Sequence, residues 1–290
     1  MPLKDKLLAL AVVVAWALNI VVVKLGIAEI PPIFLSALRF ALVAALIIPF
    51  TRITLRQLPW VVLVSITFGG MHFGLLFVAL SESEAGTAAI LVQLGAPIAT
   101  VLACLLFREP FGVVRLLGLA LAVVGIGVLA AGPTLPGPLP LALLLLSATG
   151  WAVTNLIIKS MPDISPLTVT GWSSLIAVPQ LLVASAFFEQ GQWESLGTAT
   201  WHGWLSIVYS AVISSIAAYG IWYWLLRKHS INSVVPYSML NPLLSVLFGI
   251  VLLGDTPAPV KLVGALVMLA GVGLILRQSP AIVAASEPAS

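Results

Sequence analysis

Charge is what this chain has least of. Only 8% of its 290 residues are charged, against roughly 25% in an ordinary soluble domain. That leaves too little polar surface to face water, which excludes a soluble globular fold and makes the bilayer the solvent. Cysteine is almost missing as well. Cys104 stands alone inside an apolar run, which excludes an intrachain disulfide and a cysteine-based metal site. The three histidines, His72, His202 and His229, lie on separate segments, the last two at segment ends. No Ser–His arrangement, aspartate pair or His-x-x-x-His metal motif assembles from these residues, so the chain reads as neither an enzyme nor a metal or cofactor binder. Acidic residues occur only between apolar runs or at their ends. A proton-coupled pump or an exporter of permanent cations would place a carboxylate mid-membrane, and none is there. The net charge of +3 is dispersed between runs, which gives no nucleic-acid-binding patch.

What the chain has in abundance is long apolar runs. A spanning helix takes about 20 such residues. Ten stretches qualify: 7–24, 31–50, 58–80, 85–107, 111–131, 138–159, 166–188, 201–226, 230–253 and 257–277. They are continuous, whereas barrel strands alternate apolar and polar residues over about 10 positions. The expected class is an all-α membrane protein with ten transmembrane helices. The first run follows Lys4 and Lys6 but is longer than a signal-peptide core and lacks a small-x-small site, so it reads as a retained helix. No soluble domain is expected. With the N-terminus inside, ten basic residues fall on inside segments (Lys4, Lys6, Arg52, Arg56, Arg108, Arg115, Lys159, Arg227, Lys228, Arg277) and two outside (Lys24, Lys261). That asymmetry predicts cytoplasmic termini, and the loop-poor build suits a bacterial inner membrane.

The chain also repeats itself. A shift of 135 residues lays Trp16 on Trp151, Lys24 on Lys159 and Pro31 on Pro166, with Asn19 and Asn155 one step out of register. A shift of 145 to 146 lays "FGLLFVAL" (73–80) on "YGIWYWLL" (219–226) and Pro97 on Pro242. It also lays Gly118, Gly125 and Gly127 on Gly264, Gly271 and Gly273. Residues 1–133 and 134–278 are therefore expected to form two five-helix repeats, with 279–290 a short tail. Five is odd, so the halves would sit inverted in the membrane. Many secondary transporters are built this way, with the substrate site near the midplane between the halves.

Several features together resemble the EamA-type transporters of the drug/metabolite transporter superfamily. They are the Trp-x-x-Asn run with Lys eight after the Trp, "PPIFLSALRF", "SEAGTAAILVQLGAPIATVLACLLFREP" and the double repeat. The resemblance implies ten helices around a central cavity and, in bacterial members, export of amino acids or related metabolites. The second half departs from the pattern, with Gly254-Asp255 where the first has Arg108-Glu109, so that acidic position is given no role.

The polar residues inside the runs are the candidate substrate contacts, and each has a structural alternative. His72 either lines the path or bonds a neighbouring helix as a neutral imidazole. Trp16 with Asn19, and Trp151 with Asn155, each share a helix face. They either wall the cavity or serve packing and anchoring. Gln93 precedes Pro97, and Tyr237 and Asn241 precede Pro242. These residues either line bent helices or patch the carbonyls that proline frees. Arg39 either meets a substrate carboxylate or snorkels outward and pairs with Glu29, Glu82 or Glu84. Lys24 and Lys159 are expected to bond the last carbonyls of their own helices. Of Tyr219, Trp222, Tyr223 and Trp224, some must face lipid.

A lining of rings and amides with little fixed charge suits a small neutral or zwitterionic solute, with hydrophobic or aromatic amino acids fitting best. Phosphorylated solutes would want several buried cations, and only Arg39 is available. Facilitated movement or exchange is favoured over proton coupling through His72. The alternatives are export of other metabolites or drugs, or a non-transporting membrane scaffold. The expected partners are a small-molecule substrate and the lipid bilayer, and the expected state is a monomer.

Overall fold

The computed structural model describes residues 1–83, 88, 91–107, 112–130, 137–253 and 259–277. The 133/134 boundary, Glu84, Arg108, Glu109, Asp255 and the tail 279–290 lie outside the described residues. The described helices are α1 (Leu3–Ile27), α2 (Pro32–Ile47), α3 (Leu58–Ser81), α4 (Gly95–Phe107), α5 (Val113–Ala130), α6 (Pro138–Ser160), α7 (Pro166–Phe188), a short α8 (Gln192–Thr198), α9 (Trp201–Lys228), α10 (Ile231–Leu252) and α11 (Pro259–Arg277). There is no strand among the described residues. Among the described residues, seven helices are long and apolar enough to cross a membrane: α1, α2 with its 3-10 extension to Phe50, α3, α6, α7, α9 and α10. α4 and the apolar part of α5 are shorter.

Local sequence explains where these helices start. Pro32, Pro138 and Pro166 each sit in a first turn, where a missing N–H costs nothing. Ser165 and Thr200 cap α7 and α9 through their side-chain oxygens, which accept from the amides of Thr168 and His202. The burial pattern is that of a protein in lipid. Phe50, Leu105, Phe187 and Phe188 point outward, while Arg39, His72, Asn155 and a set of serines are buried. Helices that are apolar on every face fit a membrane setting.

Two of the expected spans are broken. The run 85–107 turns at Gln93 and Leu94, and α4 begins only at Gly95. In α10 a 3-10 stretch, Val235–Leu240, precedes an α-helical segment starting at Asn241. Both breaks lie just before a proline, Pro97 and Pro242, whose ring removes one ladder bond. Tighter bonds replace it. The Ala96 amide donates to the Gln93 carbonyl at 3.0 Å, and the Asn241 amide donates to the Ser238 carbonyl. The breaks also meet, with Gln93 Nε2 donating to Ser238 Oγ at 3.3 Å. Two other helices are irregular in a matching way. α3 is π-helical over Ser65–Gly74 and α9 over Ser210–Tyr219, 145 residues later.

Helix partners exchange between the halves. α1 packs on α9 and α10, while α6 packs on α3 and α4. α2 packs on α7, and α5 on α11. The α5–α11 contact depends on missing side chains. A Cβ on Gly125 would lie 2.4 Å from the Met268 nitrogen, and one on Gly271 would lie 2.4 Å from the Ala122 nitrogen. Such small-residue seams let membrane helices approach backbone to backbone.

Candidate substrate cavity

The residues singled out by chemistry converge on one cavity. It holds about 780 Å³ of empty space, the open solvent at its mouth included. α1 contributes Trp16, Asn19, Ile20 and Val23, and α3 contributes His72, Phe73, Leu76, Phe77 and Leu80. Ala88, Val92, Gln93 and Ala96 come from the fourth run. The rest of the lining is Trp151 of α6, Ser214 and Tyr219 of α9, and Ser238 and Asn241 of α10. The lining thus runs from mid-bundle toward the side where α1 and α3 end.

Trp16, Asn19, His72 and Gln93 are each held by a helix from the other half of the chain. The Trp16 indole N–H donates to the Ser214 carbonyl at 3.4 Å, and its rings pack 4.5 Å from Tyr219 and 4.9 Å from Trp222. Asn19 Oδ1 accepts from Ser210 Oγ at 2.7 Å. His72 stands between the cavity and α6. It lines the cavity, and its Nδ1 lies 3.1 Å from the Ser147 carbonyl of α6. Ser147 Oγ in turn donates to the His72 carbonyl at 2.8 Å. With that hydroxyl proton committed, Nδ1–H is the donor to the Ser147 carbonyl. Gly150 permits this approach, because a Cβ there would lie 2.7 Å from the Thr67 carbonyl.

Of the candidates, Trp16, Asn19, His72, Gln93, Trp151 and Asn241 surround the cavity, and Asn155 and Tyr237 do not. Asn155 stands behind the wall. Its Oδ1 accepts from the Trp222 indole at 2.8 Å and its Nδ2 donates to the Trp151 carbonyl at 2.7 Å. Tyr237 is buried beside the α10 break. Two major wall residues lie beyond the candidate contacts: Phe73, and Tyr219 of the aromatic set in the eighth run. The repeat did carry a signal for them, because a shift of 146 lays one on the other. Trp222 and Tyr223 are buried, whereas Trp224 turns outward under Lys228, whose Nζ lies 4.5 Å from its ring centroid.

Two expectations need correction. Arg39 does not snorkel and pairs with none of the acids proposed for it among the described residues. It is 0% exposed, with Nε donating to Ser215 Oγ at 2.9 Å. It lies a third of the way along its span and its side chain turns into the bundle, a direction that depth alone does not reveal. Lys159 bonds carbonyls of a different helix from its own. Its Nζ donates to Leu226 at 3.2 Å and to His229 at 2.8 Å, at the C-terminus of α9. The dipole argument survives with the neighbouring helix as the acceptor.

Carboxylates tie the two ends of the bundle. At the N-terminal side, Asp5 Oδ2 lies 2.8 Å from His229 Nε2 and 3.0 Å from Lys228 Nζ. Arg227 reaches both Asp163 Oδ1, at 2.7 Å, and the Ile164 carbonyl. On the far side, Glu29 accepts from the Thr200 hydroxyl at 2.6 Å and from the Thr200 and Gly203 amides at 2.9 and 3.0 Å. The Thr200 hydroxyl foremost, and then these amides, hold the Glu29 carboxyl below the usual carboxylate range. Glu189 caps α2 through the Ile33 and Phe34 amides at 2.6 and 2.9 Å.

Comparison with known proteins fits this arrangement. The EamA-like transporter family matches the chain twice, over residues 4–131 and 139–277. A Salmonella typhimurium protein named "Probable amino-acid metabolite efflux pump" is 34% identical over 92% of this chain and 93% of its own length. An Escherichia coli K12 protein of the same name is 32% identical over 92% and 93%. A solved crystal structure superposes with a TM-score of 0.76 at 18% identity, covering 94% of this chain and 96% of the other, which speaks to the fold alone. The chain belongs to the EamA-like transporter family and is a membrane transporter, not an enzyme.

Proposed function

We propose that this transporter exports small neutral or zwitterionic metabolites, hydrophobic and aromatic amino acids foremost, by alternating access. The observation that carries this is the cavity wall, which is built of rings and amides from both halves and contains no carboxylate among its described lining residues. An apolar side chain would lie against Trp16, Phe73, Trp151 and Tyr219, while Asn19, Gln93 and Asn241 offer amides to a polar end. The two relatives named as amino-acid metabolite efflux pumps favour the same class of solute.

In this reading the chain is ten spans in two inverted repeats, 1–133 and 134–278. Four observations support the repeat: the double family match, the exchanged helix partners, the π-helical stretches 145 residues apart, and the contact between the two proline breaks. With both termini cytoplasmic in a bacterial inner membrane, the cavity faces outward and the Asp5–Lys228–His229 cluster closes the cytoplasmic side. The working unit is a monomer.

Proteoliposomes preloaded with a mixture of labelled amino acids test this, with and without a pH gradient. Faster loss of the apolar amino acids, indifferent to the gradient, is expected of wild type. Folded protein that releases none of them would remove the amino-acid reading. Acceleration by the gradient, abolished in His72→Ala, would replace facilitation by proton coupling.

A further inference from the structure

Arg39 is a buried charge without an acidic partner among the described residues. Its guanidinium is sealed inside the bundle, yet Nη1 and Nη2 have no hydrogen-bond partner among them. Only Nε is engaged, by Ser215. Cζ lies 4.0 Å from the Phe73 ring centroid and 5.4 Å from that of Phe40. Ring faces attract a cation but accept none of its hydrogen bonds. Guanidinium stays charged in proteins, and an unpaired buried charge is among the costliest features a membrane protein can carry. An apolar side chain would fill the same space without that cost, so packing alone does not account for an arginine here.

The free end of the fork is the part that recognises a carboxylate, through two parallel N–H···O bonds. Phe73 borders both the guanidinium and the cavity. It also lies within the π-helical stretch of α3, and such irregular turns concentrate where a helix changes shape in function. We propose that Arg39 is the receptor for the solute's carboxylate, reached when the Phe73 ring moves off the guanidinium. This rests on the reading of the cavity as an amino-acid path and narrows its substrates to solutes with one carboxylate. A phosphate ester would want further cations, and the described cavity lining contains no lysine or arginine.

The test compares 3-phenylpropionate with 3-phenylpropanamide, which share an apolar body and differ in the carboxylate. Binding to the purified full chain is read by quenching of tryptophan fluorescence, Trp16 and Trp151 being in the wall. Wild type is expected to bind the acid at least tenfold more tightly than the amide. Arg39→Gln should bring the two within twofold, and Arg39→Lys should keep part of the preference, retaining the charge without the fork. Phe73→Ala removes the same wall ring from both solutes and uncovers the guanidinium for the acid alone, so the acid-to-amide preference should rise severalfold. Equal affinities in wild type, or a preference that survives Arg39→Gln, would overturn the proposal. If Arg39→Gln does not fold, the wild-type ratio and Arg39→Lys still decide the matter. Transport is scored separately. Acid-selective binding without efflux of any amino acid would remove the transport reading and leave this one standing. Equal efflux of phenylalanine and phenylalaninamide would do the reverse.

Discussion

Asn19 and Asn155 occupy nearly equivalent places in the repeat yet meet different needs. Asn19 is part of the cavity wall, where Ser210 fixes its carbonyl oxygen. Asn155 is one layer back and holds the Trp222 indole, which is 0% exposed and packs 6.1 Å from Trp151. Asn155→Ala should therefore act on stability, because it strands a buried indole N–H at a cost of about 1–3 kcal/mol. Its melting temperature in detergent should fall clearly, with substrate affinity changed less than twofold. Asn19→Ala should show the opposite balance, and a matching loss of affinity in both would contradict the assignment. The two asparagines are one residue out of step in the repeat, which by itself does not tell the wall from the layer behind it. Arg39 was less legible, since hydropathy gives the depth of a residue but not the direction its side chain takes.

Among the elements, α5 and α11 offer the sharpest contrast. Gly125 and Gly271 face the partner backbone, while a Cβ on Gly127 or Gly273 would meet nothing within 4 Å. Alanine at Gly125 or Gly271 should cost about 1–3 kcal/mol through overpacking. Alanine at Gly127 or Gly273 should be neutral or gain up to about 1 kcal/mol of helix propensity. Thermal melts of the four single variants would separate the pairs, and equal effects would show that the seam is not close-packed. The aligned glycines were visible in the sequence, but which of them faced a helix was not. The proline breaks were half visible. Pro97 and Pro242 flagged bends, and the turn at Gln93 shortens α4 because an irregular turn there keeps the same apolar composition as a helix.

For the molecule as a whole, carboxylates tie helices together at both ends, and under the proposed alternating access they would set which side is shut. Asp5 is 3% exposed at its side chain and engages Lys228 and His229 together. Asp5→Asn should weaken that closure and shift the population toward opening on the N-terminal side. Spin labels on the α1 and α9 ends there should report longer distances, and unchanged distances would remove Asp5 from the gate. Glu29 makes the far side sensitive to acid. Its contacts favour the charged form, so they contribute fully above the ordinary glutamate pKa of about 4.3 and are lost as pH falls through the lower folded value. Protection of the Thr200 and Gly203 amides, taken relative to their intrinsic exchange rates, should fall only in acid, and in Glu29→Gln it should be low at every pH. Apolar runs and basic loops outlined this architecture in the sequence, because hydropathy and charge are read residue by residue. The inter-half hydrogen bonds that pin the cavity wall are long-range, and no periodicity records them.

The π-helical stretches imply a tolerance that the other helices should lack. Each i→i+5 turn accommodates a surplus residue between flanks that keep their own faces. Deleting Ile66, which is 49% exposed within the α3 stretch, should let the backbone lapse into α-helix with its two ends still in register. Deleting Leu146, 48% exposed in regular α6, would turn one end of that helix by about 100° relative to the other and break the registry between Ser147 and Trp151 and their neighbours. One deletion should yield a folded transporter with a slightly shorter third helix, the other an unfolded chain. A length polymorphism in this protein is therefore expected at 65–74, 210–219 or the π-helical 249–253 at the end of α10 before the regular α-helical stretches of its membrane-spanning helices.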